Sequence, residues 1–125
     1  MRYIQTYENY NYSDILSEID TFLKSGIRNT YVNDDKITMY IRKSQRLVNK
    51  QTVKFFDIGN ISIDENYWGK GIFTNLISNL ISKYPDMNIF VESILNPAIE
   101  TALNKFNFEK QDLYGQINMF RIINI

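Results

Sequence analysis

The sequence predicts an α/β fold: a mixed central sheet of about six or seven strands with three main helices. Three observations point there. Residues 29–63 hold alternating apolar runs separated by polar turns, "NTYVNDDKITMYIRK" and then "TVKFFDIGNISI", the pattern of a β-meander. The stretch "IFTNLISNLISKY" places its apolar residues at helical spacing on one face. From there on, strand and helix patterns alternate, and such alternation builds parallel pairing into a sheet that the meander makes antiparallel.

Residues 2–8, "RYIQTYE", read as a short first strand. Ser13 can cap a helix whose Ile15, Ile19, Phe22 and Leu23 share one face, and Gly26 can end it. Two strands then flank the Asn-Asp-Asp turn at 33–35, and "SQRLVNKQ" reads as the connection to the long strand beginning at Thr52. A helix starts near Gly71 with Phe73, Leu76, Ile77, Leu80, Ile81 and Tyr84 along one face. It stops at Tyr84-Pro85 because the residue before proline avoids the helical region. "NIFVESI" is the next strand. Asn96 is an N-cap with Pro97 at the first helical position; Ile99, Ala102, Leu103 and Phe106 form the buried stripe, and Asn107 suits a left-handed C-cap. "FEKQD" and "QINMFRII" close as a hairpin around Tyr114-Gly115. With no internal repeat, linker or low-complexity segment, residues 1–125 read as a single domain in the order β-α-β-β-β-α-β-α-β-β.

Composition removes whole classes of chemistry. The 125 residues are 44% hydrophobic, enough for a core, and 14 Lys and Arg balance 14 Asp and Glu, so no net field draws the chain to nucleic acid or anionic membrane. With no cysteine and no histidine there is no disulfide, thiolate nucleophile, Ser-His-Asp triad, or Cys- or His-ligated metal, and no metal site is expected. Acid-base work falls to Asp, Glu, Tyr, Lys or main chain. The opening "MRYIQTYENYNYSD" is too polar for a signal peptide and no apolar stretch reaches the roughly 20 residues of a membrane span, so the expected address is the cytoplasm.

The stretch "ISIDENYWGKGIFTNLI" places Gly69 and Gly71 between a strand and a helix. Main-chain N–H groups at a helix start, with no side chain in front of them, form an anion cradle. The spacing is neither the Walker phosphate loop nor the dinucleotide fingerprint, because Asn66 precedes the pair and Thr74 stands where a third glycine belongs. Two glycines alone serve a tight turn equally well.

This stretch resembles the central motif of the GNAT superfamily of acyl-CoA-dependent N-acyltransferases, in which Gln/Arg-x-x-Gly-x-Gly/Ala follows the fourth strand and opens the helix that holds the coenzyme A pyrophosphate. "FVESILNPAIETALNKFNF" resembles the family's next strand and helix, and "GQINMFRII" its closing strand, so the likeness covers about residues 30–123. The resemblance implies acetyl-CoA as cofactor and an amine as acceptor. By position, Ile61 and Ile63 match strand residues whose backbone pairs with pantetheine. Asn66, Trp68, Gly69, Lys70, Gly71, Ile72 and Phe73 match the pyrophosphate loop, and Asn96 matches an asparagine facing pantetheine. Asn66 and Trp68 depart from the family's Gln or Arg and Arg, which lowers the loop's charge. Asn96 serves equally as a plain helix cap.

For the chemistry, Glu92 in "VESILN" matches the family's strand glutamate that acts as base in the ribosomal-protein alanine acetyltransferases, with one residue fewer before Asn96. Asp57 is the second base candidate; strand alternation puts it on the face of residues 55 and 59 unless a bulge intervenes, and it reads equally as a surface acid. The family's general acid is a tyrosine near the end of the last helix, and Leu103 stands there; Tyr114 is the candidate substitute. The run from 36 to 56 holds six basic residues and no acid, which fits a nucleic-acid face or, as preferred here, a solvated strand face. The expected function is therefore N-acetyl transfer from acetyl-CoA to a primary amine on a protein, RNA or small molecule. A degenerate binding or regulatory protein of the same fold is the alternative. Neither a membrane nor nucleic acid is an expected partner, and the sequence leaves the oligomeric state open, a homodimer included.

Overall fold

Helix α1 (Ser13–Lys24) opens the part of the chain described by the computed structural model, residues 13–124; the first strand expected at 2–8 lies outside the described residues. Its Ile15, Ile19 and Phe22 are buried, as their spacing requires. Strands β1 (Asn29–Asn33), β2 (Ile37–Val48) and β3 (Gln51–Ile63) form the meander, followed by α2 (Ile72–Lys83), β4 (Ile89–Val91), α3 (Pro97–Asn104), β5 (Glu109–Leu113) and β6 (Gln116–Arg121). The six strands form one mixed sheet in the order β1-β2-β3-β4-β6-β5. Only β3 and β4 pair in parallel, joined by the crossover through α2. The mixed sheet with three helices agrees with the fold class expected. Among the described residues no helix is long and apolar enough to cross a membrane.

Two expected boundaries shift. "SQRLVNKQ" is not a connection: β2 runs on to Val48 and turns through Asn49 and Lys50, both at positive φ (50° and 68°). Two successive residues in that region make the turn whose twist suits a hairpin, and asparagine enters it at low cost. The strand read from "NIFVESI" ends at Val91, because Ser93 adopts φ 51° and the Ile94 N–H turns to the Ile117 carbonyl at 2.8 Å.

Strand alternation divides the core. On one face Ile41, Phe56, Ile58, Ile89, Val91 and Met119 pack with the apolar stripes of all three helices. Each large aliphatic side chain buried there contributes about 1.5–3 kcal/mol. On the other face Val53, Phe55 and Phe90 gather with Phe120 and Ile122, Phe90 stacking on Phe120 at 6.1 Å between centroids. Continuing along this second face toward the C-terminal ends of β3 and β4, the aromatic side chains give way to charged ones.

Candidate functional site

The parallel ladder between β3 and β4 ends early. Its register is Phe56 with Ile89, Asp57 with Phe90 and Ile58 with Val91, and its last bond is the Glu92 N–H to the Ile58 carbonyl at 2.9 Å. Beyond it β3 continues for five residues, 59–63, while the chain after Glu92 swings toward β6. The two strands part at the carboxyl ends of the parallel pair, where α/β sheets characteristically receive ligands.

A bulge shapes the β3 wall. Tyr40 pairs with Gly59 but Thr38 with Ser62, so residues 60 and 61 together face Met39, with Asn60 at φ 47°. The extra residue flips the alternation, and Ile61 and Ile63 pack against the helix-covered core on the same side as Ile58. Their side chains belong to that core. Asp57 precedes the bulge and so stays on the face of residues 55 and 59, as alternation requires.

β3 leads into the glycine turn. Asp64 caps a 3₁₀ turn (Glu65–Tyr67) by accepting from the Asn66 N–H at 2.9 Å, and the exposed Trp68 folds back so that its indole N–H donates to the Ile63 carbonyl at 2.8 Å. Gly69 and Gly71 take φ 72° and 75°, conformations that disfavour other residues. A Cβ on Gly69 would meet nothing within 4 Å, and one on Gly71 only the Asn75 side chain at 3.8 Å, so the space in front of both is open. Gly71 is also the N-cap of α2 and brings no capping side chain. Lys70 is exposed, whereas Ile72 and Phe73 are buried, so the last two offer a ligand main chain rather than side chain. Asn96 caps α3, its Oδ1 accepting from the Ala98 N–H at 2.9 Å.

The charged face assembles from three strands. Asp57 lies opposite Arg42 in the register; Ser44 and Arg46 follow on the same face of β2, Phe90 lies beside Asp57 on β4, and Glu92 is two residues further on. Asp57 is 1% exposed and fully hydrogen-bonded. Its Oδ2 accepts from Arg42 Nε (3.3 Å), Arg42 Nη2 (3.0 Å) and Arg46 Nη2 (2.6 Å), and its Oδ1 from the Ser44 hydroxyl (2.7 Å). Glu92 Oε1 accepts from the same two guanidinium groups, at 2.5 Å from Arg42 and 3.0 Å from Arg46. The Arg46 guanidinium lies 3.6 Å over the Phe90 ring centroid. Two cations meet two anions. The bond to Asp57 is the largest of the influences that hold the Arg42 proton more tightly than usual, against the opposing effect of burial.

This arrangement corrects two expectations. Asp57 is a buried ion-pair partner rather than a surface acid. Nor is the basic run simply a solvated face: Arg42 and Arg46 are spent on Asp57 and Glu92, and Lys43 donates to the Ser25 carbonyl and sits 4.7 Å from the Phe22 ring centroid. Arg42, Ser44 and Arg46 are the site residues that sequence reasoning missed. Their i, i+2, i+4 spacing is the available signal, and it shows only when "SQRLV" is taken as strand rather than connection.

Tyr114 stands apart from this cluster, fully exposed at the tip of the β5–β6 hairpin with φ 54°. Leu103 is wholly buried in the core. Buried Asn118 steadies the turn after Glu92, its Oδ1 accepting from the Ser93 N–H at 2.9 Å and its Nδ2 donating to Gln111. Two cavities, about 930 Å³ beside Arg28, Lys54 and Asn88 and about 290 Å³ between α1 and β1, include neither Glu92 nor the glycine turn. Strand geometry, not cavity size, marks the site.

No protein-family model matches the sequence, and no curated protein matches it. Solved structures do. Bacillus subtilis N-acetyltransferase YlbP in complex with coenzyme A aligns over 97% of this chain and 90% of its own, at 12% identity and a TM-score of 0.55. Arabidopsis thaliana NAA60 in complex with a bisubstrate analogue aligns over 86% and 84%, at 13% identity and 0.54. A mutant AtaT toxin bound to acetyl-CoA and the C-terminus of the antitoxin AtaR aligns over 69% of this chain, at 15% identity and 0.50; the match spans only 57% of the toxin's length. Likeness at such identities concerns the backbone alone, and in that respect this chain has the fold of the GNAT acetyltransferases.

Proposed function

We propose that the protein is an N-acetyltransferase that takes acetyl-CoA and acylates a primary amine, acting in the cytoplasm. The observation that carries this reading is the parting of β3 and β4 directly after the Ile58–Val91 pair, in line with the open glycine turn at the start of α2. That geometry fits the group. The edge of residues 59–63 on the β4 side, unpaired among the described residues, suits an extended arm that adds like a strand, and the main chain at 69–73, with Asn66, Trp68 and Lys70 around it, suits a pyrophosphate. Asn96 lies beyond β4, where its amide can complete the arm's contacts.

Acetyl-CoA supplies the thioester; the chain must remove a proton from the attacking amine as the C–N bond forms and the C–S bond breaks. Glu92, directly after the last β3–β4 pair, is the base. Leu103 cannot donate a proton and Tyr114, the candidate substitute, stands apart at the hairpin tip, so a proton for the thiolate would come from solvent. The buried Leu103 favours a second reading, a coenzyme A-binding protein of this fold without turnover.

Calorimetry of coenzyme A against wild type and Gly71→Asn tests the site. Asparagine tolerates positive φ, so it adds bulk to the turn with little strain, whereas valine there would be penalised before any ligand arrived. Affinity should fall at least tenfold, about 1.4 kcal/mol. Unchanged affinity in folded Gly71→Asn, or no binding by wild type, would remove the site from the turn.

A further inference from the structure

Resting on the reading of Glu92 as base, we propose that Gly59, Arg42 and Arg46 position its carboxylate, and that Asp57 holds the arginines rather than serving as a second base. The two guanidinium groups fix one oxygen, Oε1. Among the described residues none donates to the other, Oε2, which lies over Gly59, the first residue of β3 beyond the ladder. One oxygen is clamped and one is left to accept a proton.

Gly59 is not demanded by its backbone, since its φ lies outside the positive region where side chains are strained. What opposes a side chain there is Glu92: a Cβ would come 3.3 Å from Oε2, inside ordinary van der Waals contact, with the Glu92 Cβ and the Tyr40 ring next at 4.0 Å. Oε2 would have to give by a few tenths of an ångström, and because Oε1 is held by Arg42 and Arg46 that movement is taken up at those bonds. Asp57, in contrast, has both oxygens occupied by Arg42, Arg46 and Ser44 and is closed to solvent, so it has no means of reaching an amine.

The test follows the Glu92 side-chain carboxyl carbon by NMR at neutral pH in the labelled full chain, in wild type, Gly59→Ala and Arg42→Ala. The groups facing this carboxylate are Arg42, Arg46 and Tyr40 from β2 and Asp57 and Gly59 from β3, and Asp57 is kept in every variant. Displacing the carboxylate from its cations changes the field at its carbon, so that signal should move in both variants. Adding Glu92→Asp to Gly59→Ala shortens the side chain by the space the new methyl takes, and should restore an arginine-bonded carboxylate. An unchanged Glu92 signal in Gly59→Ala overturns the proposal, as does a Gly59→Ala chain that fails to fold, since Glu92 would then not be what a side chain meets. In transfer assays, Gly59→Ala should lower kcat about tenfold. Full transfer by Glu92→Gln would sink the base role, while the carboxyl signal would still decide where the carboxylate is held.

Discussion

The charged sheet face, at the middle of β3, and the glycine turn, beyond its C-terminal end, are built by opposite means. In the turn the proposed binding surface is main chain, shaped by two positive φ angles and held by local bonds no more than five residues apart, Asp64 to Asn66 and Trp68 to Ile63. On the face it is side chain, and its partners are 11 to 50 residues apart, from Arg46–Asp57 to Arg42–Glu92. The turn should therefore tolerate changes of charge but not of backbone freedom. The face should tolerate neither loss of charge nor added volume.

The largest expected effect breaks the comparison on catalysis. Glu92→Gln keeps size and most hydrogen bonding but cannot accept a proton, and should lower kcat/KM by about 10² to 10⁴ while coenzyme A affinity barely moves. Labelled acetyl-CoA, a panel of amines and fractionated lysate, read by mass spectrometry, supply the assay. Lys70→Ala in the turn should do the reverse, touching affinity modestly and kcat not at all. Coenzyme binding with no transfer to any amine would favour the non-catalytic reading.

Next in size is stability. Asp57→Asn leaves Arg42 and Arg46, 37% and 28% exposed as side chains, without their buried anion, and should cost about 3 kcal/mol. The urea midpoint should fall with its slope unchanged. Asp64→Asn changes charge equally but keeps an oxygen for the Asn66 N–H at an exposed cap, and should stay within about 0.5 kcal/mol of wild type. Equal losses in the two variants would erase the distinction between a site made of side chains and one made of main chain.

The same distinction explains what could be read from sequence. Helix faces, the Asn96-Pro97 cap, the Tyr114-Gly115 hairpin and the positive-φ glycines are local, so their spacing reveals them. The Arg42–Asp57–Glu92 cluster depends on strand register, and that register depends on a hairpin turn at Asn49-Lys50 that has no glycine to announce it. Alternation placed Asp57 on the right face. What it could not supply was the partner across the sheet, and without the partner a buried anchor looks like a surface acid.

The smallest expected effect comes from a pair outside both regions, which gauges what an acid and its donor contribute when water can reach them. The Tyr84 hydroxyl donates to Asp20 Oδ1 at 2.7 Å, tying α2 to α1, and Lys24 sits 3.0 Å from the other oxygen. The Tyr84 bond, with Lys24, holds the Asp20 carboxyl below its ordinary range; burial, together with that bond, pushes the Tyr84 hydroxyl up to about 12. The signs are opposite. Asp20, depressed on folding, contributes stability above its ordinary carboxylate range that fades as pH falls through the lowered value. Tyr84, raised on folding, contributes stability below about 10 that fades as pH climbs toward about 12. Melting temperatures of wild type and Tyr84→Phe should thus differ by a small, flat margin between about pH 5 and 9, narrowing at both extremes. A margin that persists unchanged into acid and alkali would mean that Tyr84 stabilises by packing alone. A margin as large as the loss in Asp57→Asn would show that burial is not what sets the sheet-face cluster apart.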